Sequence, residues 1–322
     1  MSFSRYQPED SVISSETVVR PMWTGDNYTL TTFFTASSYT EYYLDVYQTG
    51  SALSGSEVQF SIQYGNINGS GSAPINNTVV GASPSRVVYG QYRNLVYGTE
   101  AENFSFDNGS STSNDIYAIN ISRNRYKQAI QPGTLNLTLT SGSAIINLTD
   151  DSNTTSLTRF VGENRIYYVI SGSNGNAYTG SAATTYYGMV LPDLGVIILN
   201  ATSSYIQPTN QATSSVNNHL KLFNSISSGS GVNFQLSSQE TIASRYFFTR
   251  IKNGEFNYTT NPSIIDANGN LLYNSLINNP QTYITTVGLY NDNNELLAVA
   301  KSSRPLVKDF TKEALVRVKL DY

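Results

Sequence analysis

The sequence predicts a mainly β protein with a few short helices (α+β), built from antiparallel sheets or sandwich units. Three observations predict it. Charged residues make up only 13% of the 322-residue chain, about half of the roughly 25% usual in globular domains. The polar load falls instead on Ser, Thr, Asn, Gly and 24 Tyr, residues that suit pleated surfaces and turns better than helix interiors. Finally, apolar residues recur with period two in several segments, the spacing that covers one face of a strand. At 39% hydrophobic and 12% aromatic the chain is too apolar to stay disordered.

Taken in order, 42–47 is the first strand candidate. In 58–64, Val58, Phe60, Ile62 and Tyr64 alternate with polar partners, which predicts a half-buried strand. Residues 83–95 predict a helix, with Ser83 at the cap position and Pro84 in the first turn; Gly90 weakens it by about 1 kcal/mol relative to Ala. Strands follow at 116–121, 135–140, 166–170 and 196–199. A second helix is expected over about 209–225, where Val216, Leu220 and Phe223 fall at helical spacing. Residues 283–290 and 296–300 flank Asn291, Asp292, Asn293 and Asn294, which tolerate the left-handed backbone of a tight turn, so the segment reads as a hairpin. In 316–322 the alternation places Arg317, Lys319 and Asp321 together on an outer face.

Runs rich in Gly, Ser and Asn at 65–77, 108–114, 150–155, 171–182 and 227–231 read as loops or seams. The expected partition is an N-terminal α+β unit over 1–139, a loop-rich β insertion over 140–231, and a C-terminal β unit over 232–322 that ends in an edge strand. The middle carries almost no charge from 166 to 218, unlike its flanks.

With 19 basic and 23 acidic residues the net charge is −4, which gives no general attraction for nucleic acid or an anionic membrane. Without cysteine there are no disulfides or thiolate sites, and the single His219 rules out a multi-histidine metal centre within one chain. No apolar run of about 18 residues predicts a membrane span, and the opening residues lack a secretory pattern, so the expectation is a product made in the cytosol.

No nucleophile motif pairs with His219, which reads as a surface or capping residue. Asp266 opens a calcium-loop-like run, but Ile277 stands where the bidentate Glu belongs, so a turn is expected. Asp150 and Asp151 read as part of a solvated connection. The adjacent tyrosines 42–43, 167–168 and 186–187 admit sugar stacking or interface roles, against the plainer reading of one ring on each strand face. These residues predict no cofactor, no metal and no enzyme.

The run Tyr89-Gly90-Gln91-Tyr92-Arg93-Asn94-Leu95-Val96-Tyr97-Gly98, the segment 116–127, and at the other end 248–262, 283–301 and 317–322 resemble virion structural proteins of contractile-tailed (myovirus-like) cyanophages. The likeness covers roughly both outer thirds. It implies a non-enzymatic building block of the virion, in tail or baseplate, assembled in the host cytoplasm with other phage structural proteins in a multimeric assembly. On that reading Tyr92, Phe256 and Tyr258 are interface anchors, with intrachain packing as their alternative. A seat on the neck or capsid surface, and a carbohydrate-binding module that meets a host-surface glycan, are the competing functional readings.

Overall fold

The computed structural model describes residues 5–35, 43–48, 57–72, 83–106, 112–154, 158–178, 185–202, 217–228, 233–259 and 261–322. In chain order the first strands are β1 (Ser11–Pro21), β2 (Thr29–Leu30), β3 (Phe34–Thr35), β4 (Tyr43–Tyr47), β5 (Val58–Asn66), β6 (Phe104–Ser105), β7 (Thr112–Ser113), β8 (Asp115–Ile121), β9 (Ala129–Ile130) and β10 (Asn136–Ser141). They continue with β11 (Ala144–Asp150), β12 (Arg159–Val161), β13 (Asn164–Ser173), β14 (Asn176–Ala177), β15 (Tyr186–Leu191), β16 (Val196–Asn200), β17 (Phe234–Gln235), β18 (Ser237–Ile251), β19 (Thr282–Tyr290), β20 (Leu296–Lys308) and β21 (Ala314–Asp321). The helices are α1 (Pro84–Tyr97), α2 (Asn218–Ser227) and α3 (Asn274–Asn278). Strand occupies 51% of the described residues against 12% helix, and the sheets are antiparallel, as the composition and periodicity predict.

The chain divides into two compact units, one of residues 17–240 and one that joins 1–16 to 241–322. This differs from the three-part expectation. The seam expected at 139/140 falls inside β10, and the strands of the supposed insertion pair with the first segment: β16 lies against β8, and β11 against β10. Within the nearly charge-free stretch, β13, β15 and β16 are largely buried and belong to the same sheet as β8 and β5.

In the 17–240 unit one curled sheet runs in the order β2-β17-β10-β11-β13-β15-β16-β8-β5-β4-β3. Helix α2 packs against β10 and also against β5 and β4, strands far apart along that path, so it occupies the inside of the curl. Leu222 and Ile226 of this helix join an inner core with Leu44, Phe60, Ile62, Tyr117, Ile119 and Leu137. Trp23, Phe60 and Phe234 meet there with ring centroids 5.0–6.0 Å apart. The expected helix over 209–225 thus begins at Asn218; residues 209–216 lie outside the described residues.

The outer face of β8, β13, β15 and β16 is covered as well. Val88, Tyr89, Tyr92 and Val96 of α1 form a second core with Phe104, Phe106, Ile116, Ile166, Met189 and Ile198. Strands buried on both faces read as continuous apolar runs, which is why β16 has the sequence Val-Ile-Ile-Leu-Asn. Gly65 permits the close approach of α1, since a Cβ there would stand 2.9 Å from the Tyr89 backbone nitrogen. Strand β5 departs from the half-buried expectation: Gln59, on its polar side, is buried and bonded to Thr24.

In the other unit, the β18–β21 pairing matches Ser244 with Asp321 through Ile251 with Ala314. Tyr6 donates to or accepts from Thr249 Oγ1 at 2.6 Å, and its ring lies 5.5 Å from that of Phe247, which ties the N-terminal segment to β18. Arg317, Lys319 and Asp321 are exposed together as the alternation predicts, with both cations over the Tyr246 ring. The predicted hairpin is present as β19 and β20, and Asn294 adopts the left-handed backbone (φ 62°) in its turn. β20 extends well past the expected end, to Lys308.

Candidate interaction surface

The unit formed by 1–16 and 241–322 inverts the ordinary distribution of apolar side chains. Among the described residues it fully buries only Ile251, Leu289, Ala314 and Val318, yet it exposes sixteen large hydrophobic side chains. Isolated exposed leucines are unremarkable in any protein, but a unit with more large apolar groups outside than inside presents a surface that fits contact with protein. The periodicity of β19 and β20 explains part of it. Val287, Leu289, Ala298 and Ala300 occupy the more covered face, while Tyr290, Leu296 and Val299 stand where a one-sided antiparallel ribbon would carry polar residues.

The loop after β18 is built to project two of the sequence-predicted anchors. Lys308, with no exposed surface, donates from Nζ to the Asn253 carbonyl (2.8 Å), Asn257 Oδ1 (2.9 Å) and the Asp309 carbonyl (2.9 Å). All three ammonium hydrogens are thereby matched to acceptors. Asn257 Nδ2 donates back to the Asn253 carbonyl, the Lys252 backbone N–H donates to Glu255 Oε2, and the Thr282 hydroxyl donates to the Phe256 carbonyl at 2.6 Å. These bonds hold Phe256 at φ 53°, a left-handed conformation that a bulky residue adopts only when its surroundings enforce it. Next to Lys308, the Thr311 hydroxyl, and after it the Lys312 ammonium, hold the Asp309 carboxyl below its usual range.

Phe256 is 40% exposed and Tyr258 60% exposed, so both stand where a partner could reach them. Tyr92 does not. It is 3% exposed on the inner face of α1, and burial pushes its phenol up to about 12. Its reading as an interface anchor is corrected to core packing, because position 92 falls one turn from Tyr89 and Val96 on the apolar stripe of the helix. The paired tyrosines follow the plain two-faced reading where they are described: Tyr187 joins the inner core, while Tyr168 and Tyr186 touch on the outer side at 5.0 Å.

Several ionisable groups of the 17–240 unit act as structural ties. Asp115 accepts from the Tyr64 hydroxyl and from Asn66 Nδ2; burial first, and this carboxylate second, drive the Tyr64 phenol far above its ordinary range. Asp150 and Asp151 are buried, contrary to the solvated connection expected. Asp150 accepts from the Gly133 backbone N–H, and burial raises its carboxyl; Asp151 pairs with Arg159 and accepts from the Tyr168 N–H. They fasten loops across strand ends. His219 is likewise buried, not at the surface or at a cap, and burial lowers its pKa from the ordinary imidazole value. Asp266 does form a turn, accepting from the Asn268 and Asn270 backbone N–H groups. Among the described residues no three His, Asp or Glu side chains gather as a metal site.

No family model, curated protein or solved structure matches this chain. The outward apolar unit was not legible in advance, because period two shows that β19 and β20 alternate but not which face another layer covers.

Proposed function

We propose that the chain is a non-enzymatic structural subunit of a contractile-tailed bacteriophage particle, located in the tail or baseplate and acting through contacts with neighbouring subunits. The single observation that carries this reading is the unit of residues 1–16 and 241–322, whose exposed apolar side chains outnumber its buried ones. Burial of such surface drives association, and the anchored loop supplies aromatic side chains of the kind that concentrate binding energy. The resemblance of the outer thirds to myovirus-like virion proteins supports the particle as the setting.

The exposed tyrosines Tyr258, Tyr273 and Tyr283 favour one competing reading, a carbohydrate-binding module. Mass spectrometry of purified particles after separation of heads and tails, with glycan-array binding of the isolated chain, decides between them. Recovery in the tail fraction without glycan binding is expected. If Phe256 and Tyr258 are anchors, Phe256→Ala and Tyr258→Ala each reduce incorporation roughly 10-fold or more while the folded chain accumulates normally. Tyr92→Ala instead lowers the yield of folded protein.

A further inference from the structure

We infer that Asn253 is a site of spontaneous covalent modification, a deamidation that the buried Lys308 ammonium activates; the inference stands apart from whether the chain enters a particle. An asparagine followed by glycine carries both reactants of this step. The glycine backbone nitrogen attacks the asparagine side-chain carbon, its proton passes through solvent to the departing amide, and that amide leaves as ammonia, so a succinimide ring remains. Water then opens the ring at either carbonyl, to aspartate or to isoaspartate, in which the chain runs through the β-carbon. The step asks for a free N–H, an approach without side-chain obstruction, and stabilisation of the negative charge that builds on the peptide as its proton departs.

Four Asn-Gly pairs lie among the described residues, at 68, 174, 253 and 268. In three of them the glycine N–H is engaged: Gly69 donates to the Asn66 carbonyl at 3.0 Å, Gly175 to Thr149 Oγ1 at 2.7 Å, and Gly269 to the Asp266 carbonyl at 3.0 Å. The Gly254 N–H has no acceptor among the described residues. Asn253 and Gly254 are the exposed central residues of a turn closed by the Glu255 N–H on the Lys252 carbonyl at 3.1 Å, and open space surrounds the missing Cβ of Gly254.

The charge requirement sets this pair furthest apart. The Asn253 carbonyl and the Gly254 N–H belong to one conjugated peptide unit, so charge left on the nitrogen spreads to that oxygen. The oxygen already accepts from Lys308 Nζ at 2.8 Å and from Asn257 Nδ2 at 2.6 Å. A cationic donor fixed on the atom where negative charge develops stabilises it without reorganisation, and burial of the lysine keeps solvent screening weak. Among the described residues the carbonyls of Asn68, Asn174 and Asn268 accept from no lysine or arginine; that of Asn174 meets only the neutral amides of Asn153 and Asn176. An isoaspartate at 253 lengthens the backbone inside the turn that leads to Phe256, and so loosens the loop.

Peptide mapping by mass spectrometry of the purified full chain, incubated at physiological temperature and mildly alkaline pH, reads each site by the replacement of an amide with an acid. Asn253 is expected to convert roughly 10-fold faster than Asn68, Asn174 and Asn268, about the factor that one retained hydrogen bond on the attacking nitrogen is worth. In denaturant, where Lys308 no longer reaches the loop, the four rates are expected to converge. Gly254 has no left-handed φ and room for a side chain, so Gly254→Val is expected to keep the wild-type circular dichroism while suppressing conversion at 253. Lys308→Met is expected to slow conversion at 253 although it loosens the loop; a purely structural lysine predicts the reverse, and faster conversion in this variant overturns the activation. Conversion at 253 no faster than at the other three sites of the folded chain overturns the inference, as does a lead that persists in denaturant, which would belong to the local sequence and not to the fold.

Discussion

Lys308 shows how one residue organises its neighbourhood. A lysine with no exposed surface is sustained only because three acceptors surround its ammonium, two from the 252–259 loop and one from its own neighbour. Lys308→Met keeps much of the side-chain volume but orphans those acceptors, so a loss of about 2–4 kcal/mol is expected from denaturant unfolding, together with faster proteolysis near Phe256. Lys301→Met, on the exposed part of the same strand, is expected to change stability by less than about 0.5 kcal/mol. His219 gives the pH counterpart. Burial depresses its pKa below the ordinary 6.5, so the unfolded chain binds the proton more readily. The stability tied to this group is therefore present above pH 6.5 and is lost as pH falls through the folded-state value. The slope is at most about 1.4 kcal/mol per pH unit, and His219→Gln is expected to abolish it in unfolding curves taken across that window. Asp150, raised by burial, works with the opposite sign: its contribution fades as pH rises through its folded value, and the His219 variant leaves that trend intact.

At the level of single elements, α1 separates two glycines that look alike in sequence. Gly90 has open space around its missing Cβ, whereas Gly98 holds the helix end at φ 70° and donates its N–H to the Asn94 carbonyl. Gly90→Ala is expected to raise stability by about 1 kcal/mol, and Gly98→Ala to lower it by about as much, both readable as shifts in denaturant midpoint. The same helix shows how local signals are fulfilled indirectly. Ser83 occupies the expected cap position, but its hydroxyl donates to the Gly69 carbonyl, and the Ser72 hydroxyl caps the helix by accepting from the Ser85 N–H. Strands with one wet face, such as β10 and β21, were legible because alternation and burial coincide. β1 and β18 were not, since their exposed positions mix apolar and polar residues without a period. Phe256 and Tyr258, the proposed anchors, stand out in the sequence as aromatic residues in a polar run, while the buried Lys308 that bonds Asn253 and Asn257 of the same loop gave no local signal.

The whole molecule combines a 17–240 unit with two cores, which accounts for its own stability, and a second unit that lacks a comparable interior. That second unit is discontinuous in sequence, which explains why a partition by composition along the chain misplaced the seams: what joins 1–16 to 241–322 is the pairing of β1 with β18, with the packing of Tyr6 on Phe247 and its bond to Thr249, not any shift in residue usage. On the proposed reading, neighbours in a larger body complete the open unit. The most direct test is quantitative mass spectrometry of washed particles divided into head and tail fractions. The account predicts this chain in the tail fraction, at a copy number comparable with other tail components. Its absence from washed particles, or its confinement to heads, would contradict the tail or baseplate assignment.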